Sequence, residues 1–222
     1  SYNDVDLQQL LANAGDEFRE GSLKISYQAQ DQQRGAQIKL TDPQQKLIWA
    51  EQLVYTSKFV SNRLENVWWH PGGNTKTRFV VSNTSSATIS ANITVDGTTP
   101  SQLTPYQVTL APWETRVLDI LSDLVGNANG IINSTGGISI EHNGQPGQVL
   151  ARMYIARPNV GYSATAAFID PENTASQRWH GSGFRFRNVN GAVLKTGIAV
   201  RNVGTQVSRV NGKIIYTQPN GD

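Results

Sequence analysis

The sequence predicts an all-β protein built from antiparallel sheets. Its apolar residues recur mostly at every second position, in short runs bounded by Gly, Pro, Asn or Asp. Such alternation is typical of strands with one face buried and the other in solvent. The runs follow one another closely along the 222 residues of the chain, and this spacing favours a sandwich or a barrel.

The predicted strands succeed one another from residue 22 to residue 217. The clearest are residues 22–27, 37–40, 77–81, 90–95, 106–110, 138–140, 149–155, 196–200 and 213–217. In each of them, alternate side chains point to the same face of the sheet. We therefore expect the following residues to face sandwich cores: Ile25, Leu40, Phe79, Val81, Ile140, Ile155, Ile198 and Val200.

Two short helices interrupt the strand pattern. Leucines at helical spacing follow Asp6, and a similar apolar group follows Asp119. Aspartate is a favoured N-cap residue, and Gly15 and Gly126 suit the ends of the two helices. Helices of about two turns are marginal in water on their own, so we expect each one to pack against a sheet.

The two helices are also the first sign of an internal repeat. Matching residues keep one order along the chain, and the offset between them varies little, as insertions and deletions in loops would produce. The matches are Asp6 with Asp119 (119 − 6 = 113), Pro43 with Pro158 (158 − 43 = 115), Trp69 and His70 with Trp179 and His180 (179 − 69 = 110), and Thr77 with Thr196 (196 − 77 = 119).

A repeat of roughly 115 residues has the size of an immunoglobulin-like sandwich. We predict tandem immunoglobulin-like units, each with antiparallel sheets and one short helix. If the repeat is counted from residue 58, residues 58–172 are a complete unit. Residues 1–57 are then the second half of a preceding unit, and residues 173–222 are the first half of a following one. Residues 99–116 have no second copy in the chain.

Three motifs connect this repeat with a family. They are Leu110–Asp119 (LAPWETRVLD), Phe79–Asn83 (FVVSN) and Gly136–Ile140 (GGISI). Together they resemble the tandem immunoglobulin-like sandwich repeats of uncharacterised secreted bacterial proteins. The resemblance implies a secreted or cell-surface location, and it brings no active site that could be transferred to these residues.

The composition excludes several classes of function. The chain has no cysteine, so it holds no disulfide and no thiolate metal site. Only 16% of its residues are charged, and the net charge of +2 is too small to predict a nucleic-acid partner. No apolar run of about 18 residues is present, so we expect no membrane span. The polar start at residues 1–6 shows no signal peptide, and we expect a mature secreted chain or a piece of a longer one.

The chemistry-bearing residues predict a protein that is not an enzyme. The sequence has no nucleophile elbow, phosphate-binding loop or zinc-protease motif. Its close carboxylate pairs fall at predicted turns and helix caps, namely Asp4 with Asp6, Asp119 with Asp123 and Asp170 with Glu172. We therefore expect no catalytic residue, no cofactor and no metal, although residues 3–6 offer several oxygen ligands for calcium.

Two further residue types have structural interpretations. His142 is predicted at a half-exposed strand position, because Tyr27 stands at the matching place in the repeat. Asn83, Asn92 and Asn133 lie in Asn-X-Ser/Thr sequons, which permit glycosylation without implying it.

The candidate binding or junction residues are Trp68, Trp69, His70, Trp179 and His180. Adjacent strand residues point to opposite faces, so the two rings of Trp68 and Trp69 cannot both enter one core. One alternative is an exposed platform on which a sugar ring stacks. The other is packing at a junction between units, and the recurrence of Trp-His at the matching position favours it.

These observations predict an extracellular structural or assembly protein, such as a filament or surface-layer subunit whose partners are other copies of the chain. Three ways of completing the terminal halves are open: pairing within one chain, completion by further sequence, and head-to-tail strand completion between successive chains. The alternative function is a carbohydrate- or protein-binding adhesion module of a larger secreted protein, with surface glycans or proteins as its partners.

Overall fold

The computed structural model describes residues 37–41, 47–53, 56–69, 76–96, 98–99, 105–125, 131–132, 135–157, 162–174, 187–189, 192–194, 200–204 and 209. The strands, in chain order, are β1 Gln37–Thr41, β2 Leu47–Gln52, β3 Arg63–Trp69, β4 Lys76–Asn83, β5 Ile89–Val95, β6 Thr98–Thr99, β7 Tyr106–Leu110, β8 Thr115–Asp119, β9 Ile131–Ile132, β10 Thr135–His142, β11 Val149–Arg157, β12 Tyr162–Ala167, β13 Arg187–Val189 and β14 Ala192–Leu194. The helical elements are a 3₁₀ turn at Thr56–Lys58, a π-helix at Ile120–Val125 and the short α-helix α1 at Pro171–Thr174.

Two four-stranded sheets dominate the architecture. The first sheet has the strand order β3-β10-β5-β7, and the second has the order β12-β11-β4-β8. Every pairing between neighbouring strands in the two sheets is antiparallel. Three two-stranded ribbons accompany them, formed by β1 with β2, β6 with β9 and β13 with β14. The prediction of an all-β, antiparallel protein is confirmed.

The two large sheets pack face to face over one apolar core. Buried and exposed side chains alternate along most of β4 and β5, as the sequence pattern predicts. Inward side chains of both sheets join in a single cluster, and its fully buried members include Leu64, Phe79, Val81, Ile93, Ile138, Ile140 and Met153. Burial of this apolar surface, at roughly 25 cal/mol per Å², is the main force that holds the sheets together.

Most of the predicted core positions that the structure describes are confirmed. Phe79, Val81 and Ile140 are fully buried, and Ile155 packs partly buried against the cluster. The expectation for Val200 is wrong, because this side chain is 50% exposed. It lies in an irregular segment beside the first sheet, not in an inward-facing strand. Three predicted positions fall on side chains outside the described residues, namely Ile25, Leu40 and Ile198.

The helix predicted after Asp119 is present, in π-helical form. The Asp119 carboxylate accepts hydrogen bonds from the amides of Leu121 (2.9 Å) and Ser122 (3.2 Å), which is the predicted capping role. Asp123 turns back to accept the Asp119 amide at 2.7 Å. Leu124 and the other buried residues of this helix pack on the core, and this packing stabilises so short an element. The helix predicted after Asp6 lies outside the described residues.

In both large sheets, strands from the earlier part of the chain lie next to strands from the later part. In the first sheet β10 lies between β3 and β5, so the two earlier strands are joined only through a strand from later in the chain. In the second sheet β11 pairs with β4 on one side and with β12 on the other. Each four-stranded sheet therefore combines strands from the earlier and the later part of the sandwich.

The ribbon β1–β2 repeats the register of the pair β11–β12. Gln37 pairs with Gln52, and Arg152 pairs with Ala167. Both residues of the first pair are therefore 115 positions before their counterparts in the second pair (152 − 37 = 115 and 167 − 52 = 115). The same offset relates the next three pairs along each ribbon, and the registers diverge at a bulge between Leu40 and Thr41. The strand β2 also lies close to β12, which is an edge strand of the second sheet.

Candidate binding surface

The described residues do not bring the predicted binding residues together. Trp68 and Trp69 lie at the end of β3, where their backbones pair with Gly136 and Thr135 of β10. The other predicted members of the site are outside the described residues, namely His70, Trp179 and His180. Their role as a junction or a sugar platform therefore stays a prediction.

A different tryptophan stands out in the turn between β7 and β8. Trp113 has a backbone φ of 62°, and it is the one non-glycine residue with positive φ in the described part of the chain. Its side chain is 54% exposed. A bulky residue in this left-handed region costs on the order of 1–3 kcal/mol, and such strain persists only where the surroundings impose it.

The surroundings that impose this conformation centre on the buried side chain of Asn83. Its Nδ2 atom donates to the carbonyl oxygens of Ala87 at 2.7 Å, Leu110 at 3.3 Å and Ala111 at 2.9 Å. Asn83 ends β4, whereas Leu110 ends β7 of the opposite sheet. One amide therefore ties the two sheets together at the start of the turn.

The backbone around Asn83 completes the clamp on the turn. The Asn83 amide donates to the carbonyl of Glu114 at 2.9 Å, and the Trp113 amide donates to the carbonyl of Ser85 at 3.2 Å. The Asn83 Oδ1 atom accepts the amide and the hydroxyl of Ser85 at 2.9 and 2.8 Å. With its side chain buried and used in this way, Asn83 is not an accessible glycosylation acceptor in the folded chain. Asn92 remains exposed in its sequon.

Glu114 closes the turn from the other end. Its carboxylate accepts the Ala111 amide at 2.6 Å and the Arg116 Nε at 2.7 Å. The hydrogen bond from Arg116, followed by the one from Ala111, holds the pKa of Glu114 below its usual value. The turn therefore presents the exposed Trp113 indole beside the ion pair of Glu114 and Arg116.

This arrangement is suited to contact with a ligand or a partner. An indole face binds apolar surfaces of sugars and side chains, and a turn fixed in advance loses little entropy on binding. The sequence motifs Phe79–Asn83 and Leu110–Asp119 meet here, although sequence reasoning assigned them no joint role. The signal for Trp113 was its place inside the second motif, directly after Pro112.

A second polar cluster lies at the end of the sandwich near Asp170. Its carboxylate accepts the amides of Val60 (2.6 Å), Ser61 (2.7 Å) and Glu172 (2.9 Å), together with the Ser61 hydroxyl (2.8 Å). Burial alone raises the pKa of Asp170, but these hydrogen bonds outweigh it, and the pKa lies below its usual value. The bond from Glu172 caps α1, so the structural interpretation of this acidic pair is confirmed.

His142 departs from its predicted position. It is only 4% exposed, because it shares the inward face of β10 with Ile138 and Ile140. Burial lowers its pKa, and the backbone of Gly144 opposes this only in part. Neither ring nitrogen finds a partner of normal hydrogen-bond geometry among the described residues. A neutral imidazole at the end of the core thus replaces the half-exposed residue that the sequence predicted.

The described ranges hold no group of three or more His, Cys, Asp or Glu side chains that could bind a metal ion. The calcium candidate at residues 3–6 lies outside these ranges. Among the helices in the part of the chain that the structure describes, none is long and apolar enough to cross a membrane.

Comparison with known proteins identifies no family. No family model matches the sequence, and no curated protein matches it. Among solved structures, the crystal structure of Thermotoga maritima 1070 is similar at 16% sequence identity, over 49% of this chain and 93% of that one, with a TM-score of 0.38. Similarity at this level defines neither the fold family nor the function.

Proposed function

We propose that this chain is a non-enzymatic structural or assembly protein of the bacterial cell exterior, built from tandem immunoglobulin-like sandwich units. In this proposal the units are joined head to tail by strand completion between copies of the chain. The observation that carries it is the interleaved strand order, in which β10 separates β3 from β5. A half unit with this order has open strand edges and recruits the other half.

The register of the N-terminal ribbon supports the repeat. The pairs β1–β2 and β11–β12 correspond at an offset of 115 residues, the offset that the sequence alone indicates for this region. Immunoglobulin constant-type sandwiches divide seven strands into sheets of four and three, whereas the eight strands here divide equally. The immunoglobulin-like part of the proposal therefore concerns size and antiparallel layering, not strand order.

The segment without a second copy falls at an edge of the sandwich. Residues 99–116 contain β7 and the start of β8, and these are the edge strands of the first and second sheets. A composite unit made from residues 173–222 of one chain and residues 1–57 of the next would lack only these edges. It would keep strands equivalent to β3-β10-β5 and β12-β11. Its β4 equivalent would end at residues 200–202, which are irregular in the single chain, so in this proposal that strand forms fully only on completion by the next chain.

Engineered cysteines test this pairing directly, since the natural chain has none. In the sandwich, Ser139 of β10 pairs with Thr94 of β5. Lys24 matches Ser139 at the offset of 115 (139 − 24 = 115), and Thr217 matches Thr94 when residues 213–217 are aligned with 90–94 (217 − 94 = 123). Opposed Cα atoms in antiparallel strands lie about 4.5–5.5 Å apart, within disulfide range.

A chain with both Lys24→Cys and Thr217→Cys should form a ladder of disulfide-linked multimers on a non-reducing gel. Either single variant lacks the opposing thiol and should stay monomeric, and chance oxidation between two such chains can give no more than a dimer. A double variant that gives only an internally linked monomer would show pairing within one chain and would refute head-to-tail completion.

The second candidate function, an adhesion module, is favoured by the exposed Trp113 on its fixed turn. A glycan array and an array of extracellular matrix proteins, probed with wild-type chain and Trp113→Ala, would test it. Binding that is lost with Trp113→Ala and kept with Val60→Ala, another exposed apolar residue, supports the module. Equal binding by all three chains excludes Trp113 as its anchor.

A further inference from the structure

The outer face of the first sheet holds a buried carboxylate. Leu64 of β3 points into the core, so its neighbour Glu65 points outward. Glu65 is nevertheless only 2% exposed. Its Oε1 atom accepts Arg63 Nε at 2.5 Å, and its Oε2 atom accepts the Ser139 hydroxyl at 2.8 Å. These bonds fix the carboxylate, and its burial shows that something covers this side of the sheet.

The cover is Arg201, which belongs to a segment well beyond the sandwich in sequence. One terminal guanidinium nitrogen donates to the Glu65 carboxylate and to the carbonyl oxygens of Ile138 (3.2 Å) and Asn66 (3.4 Å). The other donates to the Asp96 carboxylate and to the Ser139 hydroxyl (3.1 Å). Arg201 is 17% exposed in this position.

Gly137 leaves the space that the guanidinium occupies. A Cβ atom built on Gly137 would overlap the guanidinium end of Arg201. The Gly137 carbonyl also accepts the amide of Asp96 at 2.8 Å, which places that carboxylate at the edge of the same space. The backbone and the acidic side chains thus shape one concave site around a planar cation.

We propose that Glu65, Asp96, Ser139 and the carbonyls of Asn66 and Ile138 form a guanidinium socket. The arginine that fills it comes from the segment following the sandwich, so that the socket locks the next unit onto the outer face of the first sheet. The locking role rests on the proposed tandem assembly, whereas the socket itself does not.

The chemistry of the socket selects arginine over lysine. All five of its contacts with Arg201 are oxygen acceptors, and they are distributed over two terminal nitrogens as the guanidinium fork requires. A lysine ammonium has one nitrogen and three donors, so it cannot reach both carboxylates in this way.

Burial distinguishes this contact from an ordinary surface ion pair. Exposed ion pairs contribute little and are screened by salt, but a pair with both groups largely out of water is screened much less. A matched control lies in the same C-terminal region, because Arg209 is exposed.

The first test is amide hydrogen exchange of the full chain. Arg201→Ala should speed exchange at residues 200–204 by about tenfold or more, because the segment loses its anchor. Arg201→Lys should speed exchange at the same residues nearly as much, and Arg209→Ala should leave their exchange rates unchanged. Equal exchange in the Arg201→Ala and wild-type chains would overturn the socket.

The second test restores the missing group with a small molecule. About 10 mM guanidinium chloride, far below denaturing concentrations, should shift the amide NMR signals of Gly137 and Ser139 in Arg201→Ala by occupying the vacated space. Sodium chloride at equal ionic strength should not do so, and the double variant Arg201→Ala with Glu65→Gln should not respond. Shifts that are the same with both salts, or that persist in the double variant, would contradict the proposal.

Failure of the socket and failure of the assembly give different results. If guanidinium fills the socket while the wild-type chain stays monomeric, the site stands and its locking role fails. If filaments of Arg201→Ala have the same stiffness as those of wild type, assembly stands without the lock.

Discussion

The side-chain amide of Asn83 lies 2.9 Å from the carbonyl oxygen of Ala111, 28 positions further along the chain. This bond joins the end of one sheet to the turn that follows the edge strand of the other. It explains why a Ser-Asn strand end and a Leu-Ala-Pro turn belong together in this sequence. It also fixes the base from which Trp113 projects.

Asn83→Ala should destabilise the chain by on the order of 3 kcal/mol, because it removes the buried amide that joins Leu110 and Ala111 to the end of β4 and releases Ser85. Urea denaturation followed by circular dichroism measures the loss. Asn92→Ala, at an exposed position of β5, should change stability by less than about 0.5 kcal/mol. Similar small losses for both variants would show that Asn83 does not clamp the turn.

Trp113→Gly should leave stability unchanged or raise it by up to about 1 kcal/mol, because glycine adopts positive φ without steric strain. The matched control is Thr88→Gly, at an exposed residue without positive φ. It should cost roughly 0.5–1 kcal/mol through backbone entropy alone. The strain assigned to Trp113 is absent if the two glycine variants lose equal stability in denaturant titrations.

Stability should fall as the pH drops from about 7 to about 5, because the buried His142 has a lowered pKa. The unfolded chain then binds a proton that the folded chain resists, so the free energy of unfolding is highest above the ordinary histidine pKa and decreases below it. His142→Leu should flatten melting temperature against pH in this window. A wild-type slope retained in the variant would assign the pH dependence to other groups.

Asp170→Asn should destabilise the chain at neutral pH by on the order of 2 kcal/mol, since an amide cannot accept all of the bonds that the carboxylate receives. The folded pKa of Asp170 is lowered. Its contribution is therefore complete above the ordinary carboxyl pKa and is lost as the pH falls through the folded value. The difference in stability between wild type and variant should narrow as the pH falls below the ordinary carboxyl pKa, whereas a constant difference would show a packing effect.

The strands could be predicted because the physics that forms them is local. Period-two alternation alone places Phe79, Val81 and Ile140 on the inward faces of their strands. Asp119 caps its helix through the amides of residues two and three positions away. The hairpin β13–β14 also has a local signal, the Asn-Gly dipeptide at residues 190–191, which is separate from the period-two alternation.

The candidate sites could not be predicted in the same way, because they depend on contacts between distant residues. The burial of Glu65 requires Arg201, which is 136 positions away, and alternation alone would leave this carboxylate in water. Similarly, the strain at Trp113 follows from bonds that Asn83 makes across the sandwich. The burial of His142 could not be predicted, because its match with Tyr27 carries no information about the face of β10 on which it lies.

The most direct test of head-to-tail assembly of sandwich units is the size of the particle that the chain forms in solution. Multi-angle light scattering over a range of concentrations, with electron microscopy of the same samples, gives both mass and shape. Head-to-tail assembly predicts a mass that grows with concentration and unbranched filaments one sandwich wide. A particle of single-chain mass at every concentration, without filaments, would contradict it.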